Sequence, residues 1–126
     1  MANPPDIVSV AHIYGQNQTT KLSALTATSI MDAVPTDYTH KVNMIIVSNI
    51  DGSNACDIDI YIDENTVATY IAKTITIPAD SSLSLIDTPL YINYLATGTG
   101  NRLMAVAQTV DDIDVVVSYE AITDVA

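Results

Sequence analysis

The sequence predicts a single all-β domain, a jelly-roll-like antiparallel β-sandwich of about eight or nine short strands. Residues 57–63 alternate polar and apolar side chains without a break, as a half-buried strand does. Turn-forming residues recur about every eight to twelve positions along the chain. The chain has no Phe and no Trp, so small branched side chains must fill the core, which suits two closely stacked sheets.

Residues 1–18 are predicted to form an N-terminal arm and an edge strand, and residues 19–126 the sandwich domain. Pro4 and Pro5 prevent regular strand pairing, and the apolar alternation over 7–14 is short. Residues 15–18 are interpreted as a turn. His12 is expected to be a partly exposed edge residue rather than a metal ligand.

Residues 19–34 are rich in Thr, Ser and Ala. Their apolar spacing is compatible with a helix, but the Thr content and the lack of a cap favour two short strands. Residues 35–40 are interpreted as a loop.

Residues 41–63 are predicted to form an antiparallel hairpin. Ile58, Ile60 and Ile62 fall on one face of its second strand, and the first strand, 41–49, is apolar enough to lie centrally in a sheet. Residues 50–54 supply Gly, Asp and Asn for the turn between the two strands.

The remaining strands are predicted over 67–77, around residues 82–85, and over 90–95, 102–107 and 113–119. In the first of these, Lys73 shares its parity with isoleucines that should be buried. Lys73 is therefore expected at a sheet margin or beside a bulge.

The formal charge of −11, from 15 acidic and 4 basic residues, makes nucleic acid and anionic membranes unlikely partners. It favours solubility and leaves room for attraction to a basic protein surface. The N-terminal residues lack the pattern of a signal peptide, and no stretch approaches 18 apolar residues. The chain is therefore expected to be made in a reducing cytoplasm.

No catalytic, cofactor-binding or metal-binding residues are assigned. Cys56 is the only cysteine, which excludes an internal disulfide, and is expected to be a half-buried strand residue. Two acidic clusters offer oxygen ligands for calcium, but neither matches an EF-hand, and a solvated strand face is the default interpretation. The clusters are Asp57, Asp59, Asp63 and Glu64, and Asp111, Asp112 and Asp114.

An enzyme is not expected. The chain contains no Gly-x-Ser-x-Gly nucleophile elbow and no glycine-rich phosphate loop, and without Trp it offers little to line a sugar cleft for glycoside cleavage. The seven tyrosines leave two interpretations open, half-buried strand residues or an interface with another protein.

Residues 44–55, 70–80 and 114–120 resemble segments of small virion structural proteins of tailed bacteriophages, particularly those of marine and cyanobacterial hosts. Such proteins are β-sandwiches that decorate or cement the capsid, or serve as head and tail accessories. The resemblance spans about residues 40–120 and carries no catalytic residues.

This resemblance implies a capsid decoration protein on the virion surface, assembled in the host cytoplasm. Its expected partners are the major capsid protein and two further copies of itself in a homotrimer. The alternative is a tail, neck or fibre module that binds a host receptor or glycan, and a hydrolase on this fold would lack an assembled site. The candidate contact residues are Ile7, Val8, Val10, Ile13, Tyr14, Tyr91 and Tyr94.

Overall fold

The computed structural model describes residues 10–98 and 100–125, and over these residues the chain is all-β without a helix. The candidate contact residues Ile7 and Val8 lie outside the described residues. No helix in the described part is long and apolar enough to cross a membrane. The strands are β1 His12–Lys21, β2 Thr28–Met31, β3 Tyr38–Asn49, β4 Cys56–Glu64, β5 Val67–Ile77, β6 Ser82–Ser84, β7 Leu90–Asn93, β8 Asn101–Ala107 and β9 Ile113–Thr123.

The strands form two antiparallel sheets. Sheet A has the order β1-β9-β3-β6, with β7 also paired to β3, and sheet B has the order β2-β8-β4-β5. The chain passes repeatedly from one sheet to the other, and β9 returns to lie between β1 and β3. This is the strand order of a jelly roll, in which eight strands form two four-stranded sheets. The predicted β-sandwich is therefore confirmed.

The core lies between the sheets and is built from alternate residues of each strand. Ile113, Val115 and Val117 of β9 are buried from one side, and Ile58 and Ile60 of β4 from the other. Ile62 continues the alternation but is only half-buried. Small branched residues thus fill this core without Phe or Trp, as the composition indicates.

The predicted hairpin over residues 41–63 is wrong. Both of its strands exist, but β3 lies in sheet A and β4 in sheet B, so residues 50–55 connect the two sheets. Ile45 of β3 and Ile60 of β4 are both fully buried, because the two apolar faces meet across the core. The strand alternation is the same in a hairpin and in facing sheets, so it does not choose between them.

The connection between β3 and β4 is held by the buried side chain of Asn49, which is 2% exposed. Its Nδ2 donates to the carbonyl oxygens of Asn54 and Ile77, each at 2.9 Å, and its Oδ1 accepts from the Asp51 amide at 3.0 Å. One side chain therefore joins β3, the connection and the end of β5.

Two boundaries differ from the sequence prediction. Residues 15–18 continue β1 rather than turn, because each of them pairs with β9 and an edge strand tolerates polar side chains such as Gln16. β3 begins at Tyr38, so His40 lies within a strand and not in a loop. Of the two short strands predicted over residues 19–34, one exists as β2, whereas residues 19–21 are the end of the longer strand β1.

The predicted margin or bulge at Lys73 is confirmed. β5 is an edge strand of sheet B, and the pairing register of β4 and β5 shifts between Ile58 and Ile60. Thr74, beside Lys73, has a positive φ of 53°. Because of the bulge, the charged side chain of Lys73 is exposed although it shares its parity with the isoleucines of β5.

We expect Asn49→Ala to lower the free energy of unfolding by about 2–4 kcal/mol, since the buried Ile77 carbonyl and two part-buried backbone groups lose this partner. Asn43→Ala is the matched control, because exposed Asn43 makes one side-chain hydrogen bond, to Glu120, and should cost less than about 1 kcal/mol. Urea unfolding of both variants measures the difference, and equal losses would contradict the bridging role of Asn49.

Candidate functional site

Three of the four carboxylates in the first predicted acidic cluster have partners within sheet B. Asp57 accepts from the Thr76 hydroxyl at 2.6 Å. Asp59 accepts from the Thr74 amide at 2.6 Å and from Lys73 Nζ at 3.1 Å. Asp63, which is 5% exposed, accepts from Arg102 Nε at 2.8 Å. These carboxylates support the β4–β5 and β4–β8 pairings of the sheet.

The second predicted cluster is divided between a turn and a strand. Asp111 and Asp112 lie in the β8–β9 turn, where the Asp111 amide donates to the Leu22 carbonyl and the Asp112 carbonyl accepts from the Ile50 amide. Asp114 lies on β9 and pairs with Lys21 at 2.8 Å. Among residues 10–98 and 100–125, no group of three or more His, Cys, Asp or Glu side chains is arranged to hold a metal ion.

Cys56 lies at the start of β4 and is 1% exposed, so the expectation of a half-buried residue is wrong. Its Sγ accepts from the Thr109 hydroxyl at 3.2 Å. Cys56 belongs to the core because its parity places it on the same inner face as Ile58.

Two surfaces remain as candidates for binding, and the first is the outer face of sheet A. Residue pairing places the odd-numbered residues of β1 and the even-numbered residues of β9 on this face. Its outward residues are Ile13, Gly15, Asn17, Thr19 and Lys21 of β1, Asp114, Val116, Ser118, Glu120 and Ile122 of β9, Thr39, Lys41, Met44, Ile46 and Ser48 of β3, Tyr91 and Asn93 of β7, and Ser82 and Ser84 of β6.

The outer face of sheet A carries no net charge, whereas the chain carries −11. Its two lysines are matched by two carboxylates, with Lys21 at 2.8 Å from Asp114 and Lys41 at 3.9 Å from Glu120. Uncharged residues occupy the band between these two pairs. The acidic excess therefore lies in the rest of the molecule.

The candidate contact residues fall in different places. Ile13 and Tyr91 lie on the outer face of sheet A and are 55% and 56% exposed. Tyr14 points to the inner side of β1, Tyr94 packs against the core, and Val10 is half-buried just before β1. The structure thus places two of the described five on one surface.

The second candidate is a groove where β1 extends past the short strand β2. One hollow of about 380 Å³ lies over the inner side of β1 and the end of β9, and an adjoining hollow of about 300 Å³ shares Tyr14 and Tyr38 with it. We call the two hollows together the tyrosine groove. It is lined by His12, Tyr14, Gln16, Asp32, Ala33, Pro35, Thr36, Asp37, Tyr38, His40, Tyr119, Ala121, Thr123 and Val125.

His40 forms part of the floor of the tyrosine groove. It is 5% exposed, its ring centroid is 4.5 Å from that of Tyr119, and its buried Nδ1 has no hydrogen-bond partner in the described part of the chain. Burial lowers the pKa of His40 from 6.5 to about 4, so the imidazole is neutral at physiological pH. A neutral imidazole carries one donor and one acceptor.

Tyr119 and Gln16 form the neighbouring part of the floor. The Tyr119 hydroxyl donates to Gln16 Oε1 at 2.8 Å. Burial, and secondarily the nearby Asp32 carboxylate, raise the pKa of Tyr119. Asp32 is fixed by Gln18 and Ser29, both of which donate to its Oδ1.

Of the tyrosine groove, the sequence indicated only Tyr14 as a contact residue. The others come from β1, the β2–β3 connection, β3 and β9, and only the pairing register brings them together. The burial of His40 follows from its pairing with Ala121 and Ile92, which places it on the inner face of β3.

We expect the free energy of unfolding to fall as the pH drops from about 6.5 to about 4. In that window the unfolded chain takes up a proton on His40 and the folded chain does not. The free energy of unfolding is therefore highest above pH 6.5 and is about 2–3 kcal/mol lower by pH 4. His40→Gln keeps a donor and an acceptor but does not titrate.

Urea unfolding of both proteins from pH 7 to pH 4 measures this loss. The two proteins differ only at position 40, so the difference between their pH profiles reports this side chain. Parallel pH profiles would contradict a neutral buried imidazole.

No family model matches this chain, and no curated protein matches it. Among solved structures, it is similar to the cryo-EM structure of the extra small virus (XSV) virus-like particle of the giant freshwater prawn Macrobrachium rosenbergii. The identity is 9%, the TM-score is 0.47, and the match covers 97% of this chain and 84% of that chain.

The chain also matches a family two carbohydrate esterase from Cellvibrio japonicus at 13% identity and a TM-score of 0.24. That match covers 87% of this chain and 34% of the esterase, so this chain spans about a third of it. Both likenesses are distant, and a function for this chain must rest on its own surfaces.

Proposed function

We propose that this chain is a structural protein of a virion that binds the outside of the capsid shell as a decoration or cement protein. The observation that carries the proposal is the neutral outer face of sheet A on a chain of charge −11. Copies that crowd on a shell repel one another through their net charge. A face without net charge allows close approach there, while the acidic remainder keeps free copies apart in solution.

The outer face of sheet A also offers apolar contact area. Ile13 and Tyr91 are more than half exposed, Met44 is 38% exposed, and Ile46 and Val116 are half-buried in the uncharged band. Scattered exposed apolar residues give each copy weak affinity. Many copies bound to a repeating lattice multiply that affinity, as a cement protein requires.

The jelly-roll order and the resemblance to phage virion proteins both support this role. Jelly rolls are frequent in viral shells, although they also serve lectins and cupins, so the fold alone does not fix the function. The proposed partners are the major capsid protein and two further copies of this chain, in a homotrimer at three-fold positions. The role requires no cofactor and no catalysis, and assembly takes place in the host cytoplasm.

Cryo-electron microscopy of particles that contain the chain tests its position, after peptide mass spectrometry has identified those particles. We expect density for the sandwich over the shell at three-fold or quasi-three-fold positions, with sheet A toward the shell. Density confined to the neck, tail or fibres would overturn the decoration role and move the chain to the host-binding class. Absence of the chain from purified virions would overturn both the decoration role and the host-binding role.

The docking face is tested by adding one charge to it. We expect Met44→Glu to weaken rebinding of purified protein to stripped particles by at least roughly tenfold, because a carboxylate must lose its water at the interface. Tyr70→Glu is the matched control, since Tyr70 is 48% exposed on β5 at the edge of sheet B. Equal rebinding of the two variants, with equal urea midpoints, would contradict docking through sheet A.

A further inference from the structure

The tyrosine groove has the volume to hold more than one small ring. Its two hollows, of about 380 and 300 Å³, adjoin at Tyr14 and Tyr38, and each alone falls near the lower end of the range for ligand pockets. Both histidines of the chain and three of its seven tyrosines line it. The groove opens on the inner side of β1, whereas the proposed docking face uses the outer side of that strand.

The charge of the groove limits its ligand. Its described lining contains the carboxylates Asp32 and Asp37 and no lysine or arginine. A phosphate, a sulfate or a carboxylate ligand would meet only negative charge there. The ligand is therefore not an anion.

The hydrogen-bonding groups of the groove call for a ligand that both donates and accepts. His40 Nδ1 is buried and without a partner among the described residues, and neutral imidazole carries one donor and one acceptor. Gln16 uses its Oε1 for Tyr119, and its amide group adds donors beside His40. Asp32 adds acceptors at the same place. Hydroxyl groups meet all of these requirements at once.

The aromatic rings supply flat apolar area beside these polar groups. Tyr14 is 44% exposed and stacks against His12, with ring centroids 5.7 Å apart and planes at 24°, and half-buried Tyr38 lies at the junction of the two hollows. A pyranose ring has one face of C–H groups that packs on an aromatic ring and a rim of hydroxyls. Such a ring matches the platform and the polar floor together.

We propose that the tyrosine groove is a binding site for a neutral oligosaccharide, with sugar rings packed on Tyr14 and Tyr38 and hydroxyls bonded to His40, Gln16 and Asp32. This site is independent of the proposed docking face. A chain that decorates a particle and binds glycans would attach that particle to a polysaccharide-coated surface.

An array of neutral and acidic oligosaccharides, probed with the full-length chain, tests the proposal. We expect binding to neutral glycans, and saturation-transfer NMR with a bound glycan should place its protons against tyrosine rings. Tyr14→Ala should weaken binding to that glycan by roughly tenfold or more, the loss expected for one stacking contact. Tyr70→Ala is the matched control, since Tyr70 is 48% exposed on β5 at the edge of sheet B, and should bind as the original chain does.

A second variant distinguishes a loss of glycan binding from a loss of folding. Gln16→Glu keeps an acceptor for the Tyr119 hydroxyl and removes the amide donors, so it should weaken glycan binding while the urea midpoint changes little. No binding to any neutral glycan on the array and none in NMR at millimolar concentration would overturn the proposal. Binding only to acidic glycans would also overturn the proposal. So would binding only to a lysine-rich peptide that is tested alongside the glycans. Loss of particle rebinding in Met44→Glu with glycan binding intact separates this site from the docking face.

Discussion

The pairing of β3 with β9 is the interaction on which the rest of the structure depends. These strands are paired from Tyr38 opposite Thr123 to Asn49 opposite Ile113, with one bulge between Val42 and Met44. β1 is added to β9, and both β6 and β7 are added to β3. The inner side of the pair supplies most of the buried core residues of sheet A, and its outer side supplies the centre of the neutral face. Loss of this pairing would remove both candidate surfaces together.

The sequence was informative wherever a strand's own residues determine the result. The alternation at Ile58 and Ile60 correctly gave a strand with one buried face, and Lys73 correctly indicated an edge or a bulge. The sequence prediction failed where the fold depends on which strands pair with each other. The connection after Asn49 has the composition of a hairpin turn, but it spans two sheets, because β3 and β4 each pair with distant strands. Local turn chemistry does not specify which strands become neighbours.

The candidate surfaces were foreseen to different degrees for the same reason. Ile13 and Tyr91 were named as contact residues, and the fold brings both to one face. The tyrosine groove required the register of β1 against β9 and of β3 against β9, which sets Gln16 beside Tyr119 and His40 beside Ala121. No spacing within one segment encodes a site whose members are so far apart in the chain.

The bulge at Lys73 and Thr74 interrupts one edge of sheet B. An unprotected edge strand offers a row of free amide and carbonyl groups to the edge of any other molecule. In β5 the bulge interrupts this row, and the ammonium group of Lys73 lies 4.8 Å from the centre of the Tyr70 ring, held there by Asp59. The β5 edge of sheet B therefore resists pairing with the edge of another molecule, a contact through which sheets grow into continuous fibres.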